Sequence, residues 1–214
     1  MINLSLFSET EAQSGRPGKL CVEKIIIPDG ELRYTSGFVG TAEASLYLKQ
    51  LIAETPWQQS RLLIAGQQRL IPRLNAWYGD EGAHYGYSGM RMVLNPWTPL
   101  LKMLKLQVES ALGLSFNSAL LNYYRSGEDS VDWHSDDERE LGHKPVIAAL
   151  SLGVERRFDL RHKTRKKLRY KLDLEHGSLL VMAGALQHHW VHRVAKCNTI
   201  IEPRVNITFR RIAI

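Results

Sequence analysis

From Ser118 to the C-terminus the chain is a succession of short β-prone runs separated by polar or Gly-containing turns. They are Ala119 to Tyr124, Val131 to His134, Val146 to Leu152, Arg157 to Leu160, Leu168 to Leu174, Ser178 to Met182, His189 to Val194 and Val205 to Phe209. Short strands at this spacing leave little room for a parallel α/β architecture and predict a sandwich or a jelly roll. Upstream, Val22 to Ile27 and Leu32 to Val39 flank the turn signal Pro28-Asp29-Gly30 and predict an edge hairpin. Two helices are predicted to buttress the sheet. One starts at Thr41 as cap, carries Ala44, Leu48, Leu51 and Ile52, and stops at Pro56. The other starts at Thr98-Pro99, carries Leu101, Leu104, Val108 and Leu112, and ends at Gly113.

Within the β-rich half, the stretch Asn122 to Glu138 reads NYYRSGEDSVDWHSDDE. His134 and Asp136 are two residues apart, and in an extended segment such residues point to one side. A third metal ligand must then come from far along the chain, and QHHWVHRV offers His188, His189 and His192. Two histidines and a carboxylate on one face of an ion form the facial triad of non-haem iron(II) oxygenases. The same donors also suit zinc, cobalt and nickel, so the ligands alone do not name the metal. Arg204 to Arg210 alternates, setting Arg204, Asn206, Thr208 and Arg210 on one strand face and Val205, Ile207 and Phe209 on the other. Arginine is the side chain best shaped to hold a carboxylate through paired hydrogen bonds, so a dicarboxylic acid would suit the polar face.

H-x-D, a distant His and R-x-N-x-T-F-R together resemble the AlkB family of iron(II) and 2-oxoglutarate-dependent dioxygenases, in particular the branch of the human DNA repair homologues. PRLNAWYGD, HYGYSG, LNYYRSGEDSVDWHSDDERELG, PVIAALSLG, HGSLLVMAG, HHWVHRV and PRVNITFR carry the resemblance from about Pro72 to the C-terminus. It implies a mainly β (α+β) chain folded as a double-stranded β-helix, a jelly roll with the metal in its mouth, buttressing helices and an N-terminal nucleotide-recognition lid. One domain over 1–214 is expected, with a flexible leader to about 18, the lid at about 58–90 and the jelly-roll core at 118–214.

The resemblance implies His134, Asp136 and His192 as iron(II) ligands. Arg204 is implied on the distal carboxylate of 2-oxoglutarate and Arg210 near its chelating end, with Asn122, Tyr124 and Asn206 completing the polar lining. The activity implied is oxidative dealkylation of N-alkylated bases such as N1-methyladenine and N3-methylcytosine, consuming O2 and 2-oxoglutarate and releasing succinate, CO2 and an aldehyde. Tyr85 and Tyr87 match base-pocket positions, with Trp133 as a further stacking candidate. Leu70 or Ile71 would be the apolar wedge of a finger hairpin. Asp137 and Glu138, next to the ligand Asp136, would favour a cationic lesion base over a neutral one. Arg165, Lys166 and Lys167, within the basic run Arg161 to Lys171, would contact phosphate.

The formal charge of +6 fits a polyanionic partner, alkylated DNA or RNA. Cys21 and Cys197 form no disulfide framework, and with neither a membrane-length apolar run nor a signal segment the expectation is a cytoplasmic monomer away from membranes. Two other readings stand beside the DNA dealkylase. One is the same chemistry on RNA, and the other is a catalytically silent β-barrel that binds nucleic acid.

Overall fold

The computed structural model describes residues 22–64, 66–82, 86–87 and 90–213. The hairpin of β1 (Val22–Ile27) and β2 (Gly30–Thr35) comes first, then α1 (Thr41–Glu54) and the hairpin of β3 (Arg61–Ile64) and β4 (Gln67–Leu70). Next are β5 (Leu74–Gly79), the short strands β6 (Gly86–Tyr87), β7 (Met90–Arg91) and β8 (Leu94–Asn95), and α2 (Pro99–Leu112). The β-rich half comprises β9 (Ser118–Tyr124), β10 (Val131–His134), β11 (Ile147–Gly153), β12 (Arg156–His162), β13 (Arg169–Leu174), β14 (Leu179–Ala183), the short helix α3 (Leu186–His189), β15 (Trp190–Val194) and β16 (Arg204–Arg210).

Both helix stops follow their local chemistry. Thr98 accepts the Leu101 N–H at 3.2 Å with Pro99 beside it, and Gly113 closes α2 in the left-handed region at φ 66°. In α1, Thr41 is not the cap but the first helical residue; Gly40 takes the cap position without a side-chain bond. The chain leaves α1 at Thr55 in extended geometry, which the ring of Pro56 demands of the residue before it.

The strands form an eight-stranded sheet in the order β1-β2-β14-β11-β16-β9-β5-β8, faced by a four-stranded sheet in the order β10-β15-β12-β13. The large sheet buries both faces, and its strands alternate accordingly. Ala119, Leu121, Ala148, Leu150, Val205, Ile207 and Phe209 pack with Leu101, Leu104 and Val108 of α2 and Ala44 and Leu51 of α1. Leu120, Tyr124, Ile147, Ala149, Leu180 and Met182 join Phe158, Leu160, Leu174, Trp190 and Val194 of the small sheet in a second core. This is the expected jelly roll, and its interior is where β16 aims its polar face.

Two expectations are corrected. β5 lies within the stretch 58–90 assigned to the lid, yet it pairs with β9 along its length and buries Trp77 and Tyr78, so it belongs to the barrel. Among the described residues of 58–90, the β3–β4 hairpin and the strand β6, paired with β7, stand apart from the large sheet. His189 ends α3 instead of opening a strand.

Candidate active site

Cross-strand pairing brings the first two ligands together. His134 at the end of β10 stands opposite His192 on β15, with ring centroids 4.3 Å apart. Asp136 follows β10, and the ligand atoms of His134, Asp136 and His192 all lie within 4.8 Å of one another. The Nδ1–H of His134 donates to the Asp132 carbonyl at 2.8 Å, which leaves its Nε2 lone pair for a cation. Burial lowers the His134 imidazole, and burial together with His134 pushes His192 down to about 3. Burial alone would raise the Asp136 carboxyl, but the Arg210 guanidinium and the two imidazoles outweigh it and keep it below the usual carboxylate range. Two neutral imidazoles and one carboxylate are the protonation states that divalent metal binding requires. His188 and His189, the alternatives within QHHWVHRV, lie apart: His188 packs tilted against His143, and His189 stacks on His162.

Beside the triad, β16 lines the pocket as its alternation predicts. Arg204 is 1% exposed, and its Nη2 donates to Ser151 Oγ at 2.9 Å and Asn206 Oδ1 at 3.1 Å. Its Nε and Nη1 are buried with no hydrogen-bond partner. Burial pushes this guanidinium down to about 10, and it lies 5.2 Å from the centre of the Tyr124 ring. Buried donors are almost always satisfied, so a guanidinium with Nε and Nη1 both open suits an anionic partner such as a carboxylate. Gly153 stands opposite Arg204, and a Cβ there would strike the Pro203 carbonyl, so the close approach of β11 to the start of β16 needs a glycine. Asn206 donates to Thr208 Oγ1 at 2.8 Å, and Arg210 Nη2 donates to Asp136 Oδ1 at 2.6 Å. The triad's donor set and the open Arg204 donors both fit iron(II) with 2-oxoglutarate.

Four residues of the site escaped the sequence reading. Arg73 lines the pocket and donates from Nε to Asn122 Oδ1 at 2.7 Å; its signal was the segment PRLNAW, where no strand was expected. Ser151 lies inside an apolar run, Lys163 sits unremarked in the basic run Arg161 to Lys171, and Gln187 carries no local pattern.

The substrate candidates divide. Asp137 is exposed at the site, its Oδ2 accepting from Ser135 Oγ at 2.9 Å and Lys163 Nζ at 3.1 Å, and Glu138 follows it. Lys166 and Lys167 are exposed in the β12–β13 loop without an ion pair among the described residues, whereas Arg165 is held by Asp29 at 3.0 Å. Tyr85 lies outside the described residues, and Tyr87 is placed by its backbone pairing with Met90. Trp133 is no base platform. Its ring contacts the guanidiniums of Arg161 at 4.2 Å and Arg193 at 4.5 Å, and it does not line the pocket, because neighbours along a strand point to opposite faces and His134 takes the inner one. Ile71 is no wedge either: it is 1% exposed, inside the fold. Leu70 is exposed but pairs with Arg61 at the base of the β3–β4 hairpin, far from the turn at Gly66.

A second cluster, Asp29, His162 and His189, also brings its ligand atoms within 4.8 Å. Here the tautomer argues against a metal. His162 Nδ1 accepts the N–H groups of Thr164 at 3.2 Å and Arg165 at 3.0 Å, so the proton sits on Nε2 and is donated to Asp29 Oδ2 at 3.2 Å. The cluster is a hydrogen-bonded strap between the β1–β2 turn and the basic loop.

A jelly roll holding two histidines and a carboxylate beside an arginine-lined pocket defines a non-haem oxygenase site. A model of the 2OG-Fe(II) oxygenase superfamily matches residues 31–210. The chain is 47% identical over 185 residues to the Homo sapiens alpha-ketoglutarate-dependent dioxygenase alkB homolog 3, an alignment covering 82% of this chain and 64% of that protein. It is 37% identical over 183 residues to the Homo sapiens DNA oxidative demethylase ALKBH2, covering 81% of this chain and 70% of that one. The solved structure of OsALKBH1 matches 88% of this chain and 100% of its own with a TM-score of 0.60 at 16% identity, a likeness of fold. The chain belongs to the AlkB family of the 2OG-Fe(II) oxygenases. It spans about 64% of the length of the alkB homolog 3 proteins it matches. Among the described residues, no helix is long and apolar enough to cross a membrane.

Proposed function

We propose that this chain oxidatively removes alkyl groups from N-alkylated bases of DNA, using iron(II), 2-oxoglutarate and O2 and releasing succinate, CO2 and an aldehyde. The observation that carries the reading is the buried Arg204 guanidinium, its Nε and Nη1 donors open, in the same pocket as His134, Asp136 and His192. The names of the relatives, dioxygenase and DNA oxidative demethylase, support it.

His134, Asp136 and His192 would hold iron(II), while Arg204, Asn206, Tyr124 and Asn122 would hold 2-oxoglutarate, with Arg210 at its metal-proximal end. Bound there, the pair supplies the activation of O2 that oxidises the N-alkyl carbon. The protein's own residues do the rest. Arg204 would orient the cosubstrate through its open donors, and its burial strengthens that charge pairing by excluding water. Phe158, stacked 5.0 Å from His192, keeps that side of the centre apolar. A base within a duplex cannot reach such a pocket, so the target is flipped out or already single-stranded. Asp137, the residue after the proposed ligand Asp136, is held by Ser135 and Lys163 through Oδ2. A cationic lesion such as N1-methyladenine gains a Coulomb attraction there that a neutral base does not.

The test incubates the protein with iron(II), 2-oxoglutarate and matched DNA and RNA oligonucleotides carrying N1-methyladenine. Succinate and restored adenine should appear in equal amounts, with DNA the better substrate. Faster repair of the RNA would move the reading to RNA, and absence of coupled succinate in both arms would leave a silent binding barrel.

A further inference from the structure

His134 and His192 are fixed by strand pairing, but Asp136 is not. It lies beyond the end of β10, where its backbone N–H has no ladder partner. The Oε1 of Gln187 accepts that N–H at 2.9 Å. Both residues are buried, Gln187 at 1% and Asp136 at 2% exposure, so water does not compete for the bond. The amide orientation is unambiguous, because the reverse would set N–H against N–H. Among the described residues Gln187 Nε2 reaches Met182 Sδ, at 3.6 Å, a weak contact, so the acceptor end of the side chain makes its strong bond.

The position of Gln187 in the chain gives this bond its reach. Gln187 belongs to α3, which leads directly into β15 and His192. Its backbone carbonyl accepts Lys163 Nζ at 2.9 Å, and the same ammonium donates to Asp137 Oδ2 at 3.1 Å. Three points therefore hold the loop after β10. Arg210 takes Asp136 Oδ1, Gln187 takes the Asp136 N–H, and Lys163 ties the next residue to the Gln187 backbone.

We infer that Gln187 is a positioning residue of the metal centre. By accepting the Asp136 N–H it locks the loop that carries the one carboxylate ligand to the segment that carries His192, and so keeps Oδ2 aimed between the two imidazoles. The inference rests on the metal-centre reading above. Groups that orient a ligand from behind typically change metal affinity on the order of 10- to 100-fold when removed.

Gln187→Met keeps the length of the side chain but removes the strong acceptor, and Gln187→Glu keeps an acceptor at the same reach. Metal-free proteins are titrated with Co(II), a redox-stable stand-in for iron(II), following the visible absorption bands, and are melted without metal. The Met variant should bind Co(II) roughly 10-fold or more weakly with altered bands, while its metal-free Tm falls by only about 2 to 8 °C, as expected for one buried N–H left without an acceptor; the Glu variant should regain most of the affinity and of the Tm. Wild-type affinity and bands in the Met variant overturn the inference. So does a loss of affinity shared by the Glu variant and matched by a falling Tm, the signature of a packing role alone. If the Met variant does not fold, Gln187→Asn, one methylene too short, decides, and full affinity there overturns the inference. Failure of the wild type to bind Co(II), or binding that survives His134→Ala, would instead sink the metal-centre reading.

Discussion

Arg210 donates from Nη2 to Asp136 Oδ1 at 2.6 Å, and both side chains are buried. The pair commits one carboxylate oxygen and leaves the other, Oδ2, 3.8 Å from His192 Nε2, as the oxygen that faces the histidines. One residue of the proposed cosubstrate face thus also sets the charge and aim of a metal ligand.

The triad has no spare ligand among the described residues, so His134→Ala, Asp136→Ala and His192→Ala should each abolish turnover. More than about a tenth of wild-type succinate release in any of them would contradict the assignment. The three should differ in stability. Asp136→Ala takes a buried carboxylate from Arg210 and should cost the metal-free protein on the order of 3 kcal/mol, read by urea unfolding, while His134→Ala costs less.

Arg204→Ala should raise the KM for 2-oxoglutarate by roughly 100-fold or more, the equivalent of about 3 kcal/mol of charge-assisted hydrogen bonding. Co(II) affinity should stay near wild type, since Arg204 touches no metal ligand. An unchanged KM would remove Arg204 from the cosubstrate site.

In the β12–β13 loop, neutralising Arg165, Lys166 and Lys167 together should weaken binding to oligonucleotides of any sequence. Arg165 is engaged by Asp29, so the salt slope should fall by about two units rather than three. A slope identical to wild type would make the loop a solvated face only.

Asp137→Asn should lower repair of cationic N1-methyladenine more than repair of neutral N1-methylguanine, by roughly 5- to 10-fold for about 1 kcal/mol of lost Coulomb energy. Steady-state kcat/KM on matched oligonucleotides measures the ratio. Equal losses on the two lesions would show that the carboxylate does not read charge.

Asp129 offers a test by pH. It accepts three hydrogen bonds from Arg125, at 2.7, 2.8 and 2.9 Å, in the loop between β9 and β10. Burial raises its carboxyl, but the Arg125 bonds outweigh it and leave the folded value below the ordinary one. A depressed carboxyl contributes stability above its unfolded value and loses it as the pH falls through the folded one. Asp129→Asn should therefore cost about 1 to 2 kcal/mol at pH 7, with the gap to wild type closing below about pH 4. A gap that persists at acid pH would assign the loss to packing instead of charge.

Much of this molecule is written locally. The alternation from Arg204 to Arg210 already separates the face that packs on the helices from the face that lines the pocket, because side-chain direction along a strand has a period of two. The strand runs after Ser118, the cap at Thr98 and the stop at Gly113 are likewise decided by neighbouring residues. Pairing across the chain is not. The choice of His192 over His188 and His189 needed the family resemblance, and only the register of β15 on β10 and the turn of α3 carry it out. β5 was invisible because a strand buried on both faces shows no alternation. Trp133 and Ile71 looked like exposed recognition residues until packing placed one against two arginines and the other inside. Gln187, with no sequence signal, gains its role by folding back onto a loop that lies far away in the chain. Contacts between residues so distant in sequence are fixed by the closure of the whole barrel, and the order of the amino acids along any one segment does not contain them.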